Sequence, residues 1–116
     1  MKTYVIVRLQ VDGLHSFPAA RELYPEVGFL ADEHRHMFHI ELKTEVYHDD
    51  RDKEFICLKR DAQDYLRQMY YKPERRTHVV GPMSCEAIAR DLMNQFQCKS
   101  VTVWEDLENG GCIEAE

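Results

Sequence analysis

His34 and His36 flank Arg35 near the start of a segment of alternating apolar character. Side chains of a β-strand alternate between its two faces, so residues i and i+2 share one face. The pair is therefore placed to offer two imidazoles to one metal ion. Zinc takes four ligands as a rule, and two histidines with waters hold it weakly. The upstream segment Phe17-Pro18-Ala19-Ala20-Arg21 ends in an arginine, whose guanidinium stays protonated and has no lone pair to give. A substitute third ligand could come from His15, Asp32 or Glu33. Without one, the two histidines are polar pocket or surface residues.

Glu105 closes the run Val101-Thr102-Val103-Trp104. A carboxylate can accept two N–H bonds from an amidine-like donor pair; it can equally be a solvated strand-end charge on an acidic chain. Arg21 is either a cation able to grip a carboxylate or phosphate in bidentate fashion, or an arginine paired with Glu22 or Glu33. Cys85 stands at the start of a predicted helix, where a thiol pKa can fall; its place in the helix's apolar stripe favours burial instead. His78 has the intrinsic pKa of an acid-base group but no neighbouring carboxylate in the sequence. His15, His39 and His48 carry no specific signal of their own.

The elements that must carry these residues follow from periodicity. Residues 3–11 read as a strand rich in Tyr, Val, Ile and Leu, and Asp12-Gly13 reads as a turn or bulge. Pro18 argues against a central strand beyond it. Residues 22–33 read as an irregular connection, and His36–Tyr47 as a second strand with Phe38, Ile40 and Leu42 on one face. Leu58, Ala62, Tyr65, Leu66 and Met69 recur at helical spacing, with Pro73 ending that helix. Residues 72–82 read as a loop. Ser84 is an N-cap for a second helix with the stripe Cys85, Ile88, Ala89, Leu92 and Phe96. A third strand over 101–104, an Asn109-Gly110 hairpin turn and a last strand over 111–115 complete the chain. The order β-β-α-α-β-β predicts an α+β domain spanning 1–116: an antiparallel four-stranded sheet with two helices on one face.

Composition narrows the function classes. The chain has 116 residues and a net charge of −6, which suits neither nucleic acid nor an anionic membrane surface. The one basic patch, Lys72-Pro73-Glu74-Arg75-Arg76, is short and interrupted. No apolar run reaches the roughly 20 residues of a membrane span, and Met1-Lys2-Thr3-Tyr4 opens no signal-peptide core. Four cysteines without a C-x-x-C pair fit reduced thiols and a cytoplasmic setting.

In this order the segments resemble the 6-pyruvoyl-tetrahydropterin synthase and 6-carboxytetrahydropterin synthase family, whose architecture is the T-fold. Phe17-Pro18-Ala19-Ala20-Arg21 is similar to the family's F-x-A-A-H, with Arg for His. His34-Arg35-His36 is similar to its H-G-H, Glu54-Phe55-Ile56-Cys57-Leu58-Lys59 to its D-F-x-x-L-K, and Met83-Ser84-Cys85-Glu86, loosely, to its P-T-S-E-N. The last hairpin, through Glu105 and Gly110-Gly111-Cys112-Ile113, looks closest. The resemblance implies zinc held by three histidines, with His34 and His36 as two and Arg21 at the third position. It implies a heterocycle anchored by Glu105, with Arg21 and Ser84 beside it. It also implies a homo-oligomeric barrel, a trimer or hexamer, with sites between subunits. The family's cysteine before H-G-H has no counterpart at Val27-Gly28-Phe29-Leu30, and its Asp-His pair is reduced to Thr77-His78. Only His78 and Cys85 remain for acid-base work. The expectation is a binding protein for a pterin- or purine-like heterocycle with most of the catalytic set lost. The alternatives are an active lyase with an altered zinc site and a structural ring that binds protein partners.

Overall fold

The computed structural model describes all 116 residues. Strand β1 runs over Thr3–His15 and β2 over His34–Val46. They pair antiparallel along their whole length, from Thr3 opposite Val46 to His15 opposite His34. Thus Asp12-Gly13 is not a turn, and the first strand continues four residues past its expected end. A side chain at Gly13 would bring its Cβ within 2.9 Å of the Phe38 ring, so glycine lets the strand pass over a core phenylalanine. The connection between the strands holds a short helix, α1 (Ala20–Leu23), and 3-10 turns over Pro25–Ala31. This lobe is tied together by Phe17 N–H donating to the Leu30 carbonyl at 2.7 Å and by Gly28 packing on Arg21.

Helix α2 (Phe55–Tyr70) starts at Glu54, whose side chain accepts the Ile56 N–H at 3.0 Å. Two strands then occupy the expected loop. β3 (Tyr71–Lys72) pairs antiparallel with β4 (Thr77–Gly81) around a turn with Arg76 in the left-handed region. β4 in turn runs parallel to Gly13–His15. Helix α3 (Cys85–Phe96) begins at Ser84, whose hydroxyl accepts the Ala87 N–H at 3.1 Å. The last hairpin joins β5 (Ser100–Trp104) to β6 (Gly110–Glu114). Its turn is longer than the expected Asn109-Gly110 pair: Gly110 already lies opposite Trp104, and the Asp106 carboxylate accepts the N–H groups of Glu108 and Asn109.

The sheet therefore has six strands in the order β3-β4-β1-β2-β5-β6, with one parallel pair. The four-stranded antiparallel sheet and the β-β-α-α-β-β order are corrected on this point. Five-residue β4 is too short to show a period, and the charged turn before it has loop composition.

Both helices cover one face. Val7, Leu9, Phe38, Ile40, Leu42, Val101 and Val103 from the strands pack against Ala62, Leu66, Ile88, Ala89 and Leu92 from α2 and α3. Each large apolar side chain removed from water this way contributes about 1.5–3 kcal/mol before the entropy cost of folding. The hydroxyls of Tyr65 and Tyr70 on α2 both donate to Asp91 on α3, which locks the helices to each other. The opposite face is uncovered and carries pairs such as Arg8–Glu41. The sheet ends at the two-residue β3 and at β6, and β1 from Thr3 to Asp12, which β4 does not reach, is unpaired on that side as well.

Candidate metal centre

Period-2 alternation puts Val7, Leu9, Val11, Gly13 and His15 on the helix-covered face of β1, and His34, His36 and Phe38 on the same face of β2. The apolar stripe thus ends in three histidines where the sheet runs out beyond the helices. One donor nitrogen from each of His15, His34 and His36 lies within 4.8 Å of the others. The His15 and His34 rings are 4.4 Å apart, and His36 is 5.0 Å from each. Phe38 stacks edge-on beneath His15 at 5.2 Å.

The tautomers follow from the partners. His15 Nδ1 donates to the Met83 carbonyl at 3.4 Å, and His34 Nδ1 to the Asp32 carbonyl at 2.7 Å. A carbonyl only accepts, so the proton of each neutral ring sits on Nδ1 and Nε2 keeps its lone pair. Nδ1 held by a carbonyl is the outer-shell arrangement that orients a metal-ligating histidine. The Nε2 atoms of His15 and His36 are buried without a hydrogen-bond partner. Burial, the largest influence on it, holds the His15 pKa below its ordinary value, so the ring is neutral at neutral pH. Buried, unpartnered imidazole nitrogens converging with that of His34 fit a divalent metal of the zinc type.

Glu105 stands over this group. Its Oε1 lies 3.3 Å from His15 Nε2 and its Oε2 3.8 Å from His36 Nε2. It is held there by the hairpin turn, in which Glu105 N–H donates to the Asn109 carbonyl at 3.0 Å. A cavity of about 440 Å³ opens beside the histidines, with Leu30, Ser84, Cys85, Glu86, Glu105 and Asn109 in its wall. Gly111 lets the hairpin close on α3, since a Cβ there would meet Glu86 Cγ at 2.8 Å.

The sequence-derived candidates divide by position. His34, Glu105, Ser84 and Cys85 line this cavity, and His36 joins His34 in the histidine group beside it. The Ser84 hydroxyl is engaged as the α3 cap. Burial, aided by the charges of Glu105, Glu86 and Asp106, pushes the Cys85 thiol up to about 12, so it is no thiolate at neutral pH. Arg21 is not at the third position of the histidine group. It is exposed and donates to Asp32 at 2.9 Å, outside the cavity wall. His15 is the residue that joins His34 and His36 in space, because β1 runs on through Gly13. His78 also lies outside the cavity wall. Its Nδ1 donates to the Asp12 backbone carbonyl at 3.0 Å, and Thr77 donates to the Asp12 carboxylate at 2.6 Å. The aspartate absent beside His78 in sequence is thus near it in space, at 4.0 Å from the carboxylate. One signal singles out His15 from the other possible substitutes, Asp32 and Glu33: the stripe Val7-Leu9-Val11 extrapolates to residue 15 once Gly13 is kept inside the strand.

No protein-family model matches the chain, and comparison with curated proteins finds no relative. Solved structures do match. An uncharacterized protein from Wolinella succinogenes superposes with a TM-score of 0.70 at 13% identity, covering 100% of this chain and 99% of that one. Two Plasmodium vivax 6-pyruvoyltetrahydropterin synthase structures superpose at 0.68 with 16% identity, again covering 100% and 99%. Those two are variants at a catalytic glutamate of that enzyme, replaced by alanine or by cysteine. The chain shares the tetrahydropterin synthase fold.

Proposed function

We propose that this protein binds a divalent metal ion, zinc by the character of its donors, through His15, His34 and His36, and holds a small pterin- or purine-like heterocycle beside it. The convergence of two buried, unpartnered imidazole nitrogens with that of His34 carries this reading. When bound, zinc supplies a Lewis acid that polarises an oxygen of the ligand. Glu105 offers paired acceptors to the ring's N–H edge, and Ser84 and Asn109 line the approach. Phe17, Leu30 and Met83 give part of the wall an apolar surface on which a ring face can pack. Metal analysis of protein purified without chelator is expected to give one zinc per chain. Mass spectrometry of small molecules carried through native purification is expected to release a heterocycle. Absence of both sinks the reading.

A lyase reading stands second, favoured by the histidine set being complete. It would act on 7,8-dihydroneopterin triphosphate, eliminating triphosphate and redistributing protons. The cavity wall has no low-pKa thiol, with Cys85 up at about 12 and Leu30 apolar, and His78 lies outside it. These absences place binding ahead of turnover; product analysis after incubation with the triphosphate separates the two.

Self-association into a trimer or hexamer accompanies either reading. The unpaired backbone of Thr3–Asp12 and of β6 invites strand pairing between copies. A monomer by light scattering would remove this part.

A further inference from the structure

The Glu105 carboxylate faces two of the three histidines at close range. A tetrahedral ion with bonds of about 2.0–2.2 Å to nitrogen and carboxylate oxygen separates neighbouring donors by about 3.3–3.5 Å. Glu105 Oε1 is 3.3 Å from His15 Nε2, the edge length of such a site, and Oε2 is 3.8 Å from His36 Nε2. The geometry is not that of a hydrogen bond: His15 Nε2 has no hydrogen-bond partner although the carboxylate faces it. Two lone-pair groups set against each other repel unless a cation or a proton lies between them. With Nδ1 of His15 donating to Met83 and Nε2 out of hydrogen-bond geometry with the carboxylate, a cation fits this place.

We infer that Glu105 is the fourth protein ligand of the metal when the pocket holds no heterocycle, closing a site of three histidines and one carboxylate. The inference rests on the metal reading above. It gives one side chain two successive partners, the ion first and the ring's N–H edge later. A ligand that captures the carboxylate thereby opens a coordination position on the metal. The turn that holds Glu105 supports such an exchange, because its backbone is fixed by Asp106 and Asn109 while the side chain stays one-third exposed.

The test uses the full chain, stripped of metal and small molecules and reloaded with cobalt(II) or zinc. The wild type is expected to show the intense visible bands of four-coordinate cobalt. In Glu105→Gln, which keeps the shape and removes the charge, the bands should shift or weaken and the zinc Kd should rise by about tenfold or more. Glu105→Asp, which shortens the reach, is read in the same way should the first variant fold poorly. Spectra and Kd unchanged in both variants overturn the inference while leaving the histidine site standing. Failure of the wild type to take up either metal overturns the inference together with the reading beneath it.

Discussion

His15 and His34 are direct register partners across the β1–β2 pair, at the last rung of a ladder that begins with Thr3 and Val46. Their rings meet at 4.4 Å. A metal site built on two adjacent strands takes its spacing from the sheet rather than from loop conformation. His36 adds the third donor from the same face, one alternation along β2.

That placement separates His15 from Arg21 by experiment. His15→Ala should abolish stoichiometric zinc uptake. Arg21→Ala should leave it intact and change stability by no more than about 0.5 kcal/mol, because the Arg21–Asp32 pair is solvent-exposed. Elemental analysis and urea denaturation of both variants check this; equal zinc content in wild type and His15→Ala would refute the site.

Zinc should raise the stability of the wild type by mass action, by about 2.7 kcal/mol at a free concentration of 100 times Kd. The thermal midpoint with and without metal measures it. The gain should vanish in His34→Ala. A metal-dependent shift that survives there would locate binding elsewhere.

Gly13→Ala should cost about 1–3 kcal/mol, since the new methyl sits 2.9 Å from the Phe38 ring in a packed core. Phe38 supports both His15 and His36, so zinc affinity should fall with it. A variant as stable as wild type would mean that the strand shifts to make room.

Cys57 and Cys112 are exposed, whereas Cys85 and Cys98 are buried. A thiol reagent at neutral pH is expected to modify the first two in the native protein and all four after denaturation. Rapid native modification of Cys85 would contradict its burial and its pKa near 12.

Burial and the Asp91 carboxylate raise the Tyr65 pKa to about 12, and the same causes raise that of Tyr70 further. Their folded values exceed the unfolded value of about 10, so the stabilising contribution is complete below pH 10 and is lost as pH rises toward 12 and above. Tyr65→Phe and Tyr70→Phe should flatten the alkaline limb of a stability–pH curve. Parallel curves for wild type and both variants would argue against this linkage.

The two helices, the Ser84 cap and the inward face of β2 were legible because their apolar periods are long and regular. The end of β1 was not. Glycine after aspartate has turn chemistry, and only the Phe38 ring, brought there by tertiary pairing, explains why it stands inside a strand. Losing those four residues left His15 as one of three possible substitutes, beside Asp32 and Glu33, and moved attention to Phe17–Arg21, whose letters look right but whose backbone has left the sheet for α1. β4 escaped for a different reason: its partner is the far end of β1, a non-local contact that no window of sequence contains. Glu105 drew notice through the resemblance of the last hairpin, but its approach to His15 depends on a turn shaped by Asp106.

The lobe of residues 16–33 leaves the sheet immediately after His15 and returns to it immediately before His34. On the proposed metal reading its two anchors would be donors to the same ion, closing the lobe as a ring fastened at its neck. Backbone amides within Ala20–Ala31 can exchange with solvent by opening of the lobe alone while the sheet stays intact. Closing the neck lowers the entropy gained on opening, so deuterium uptake in that segment should slow on metal loading more than in α2 or β5. The lobe is then a built-in reporter of occupancy, readable residue by residue without knowing what the pocket binds.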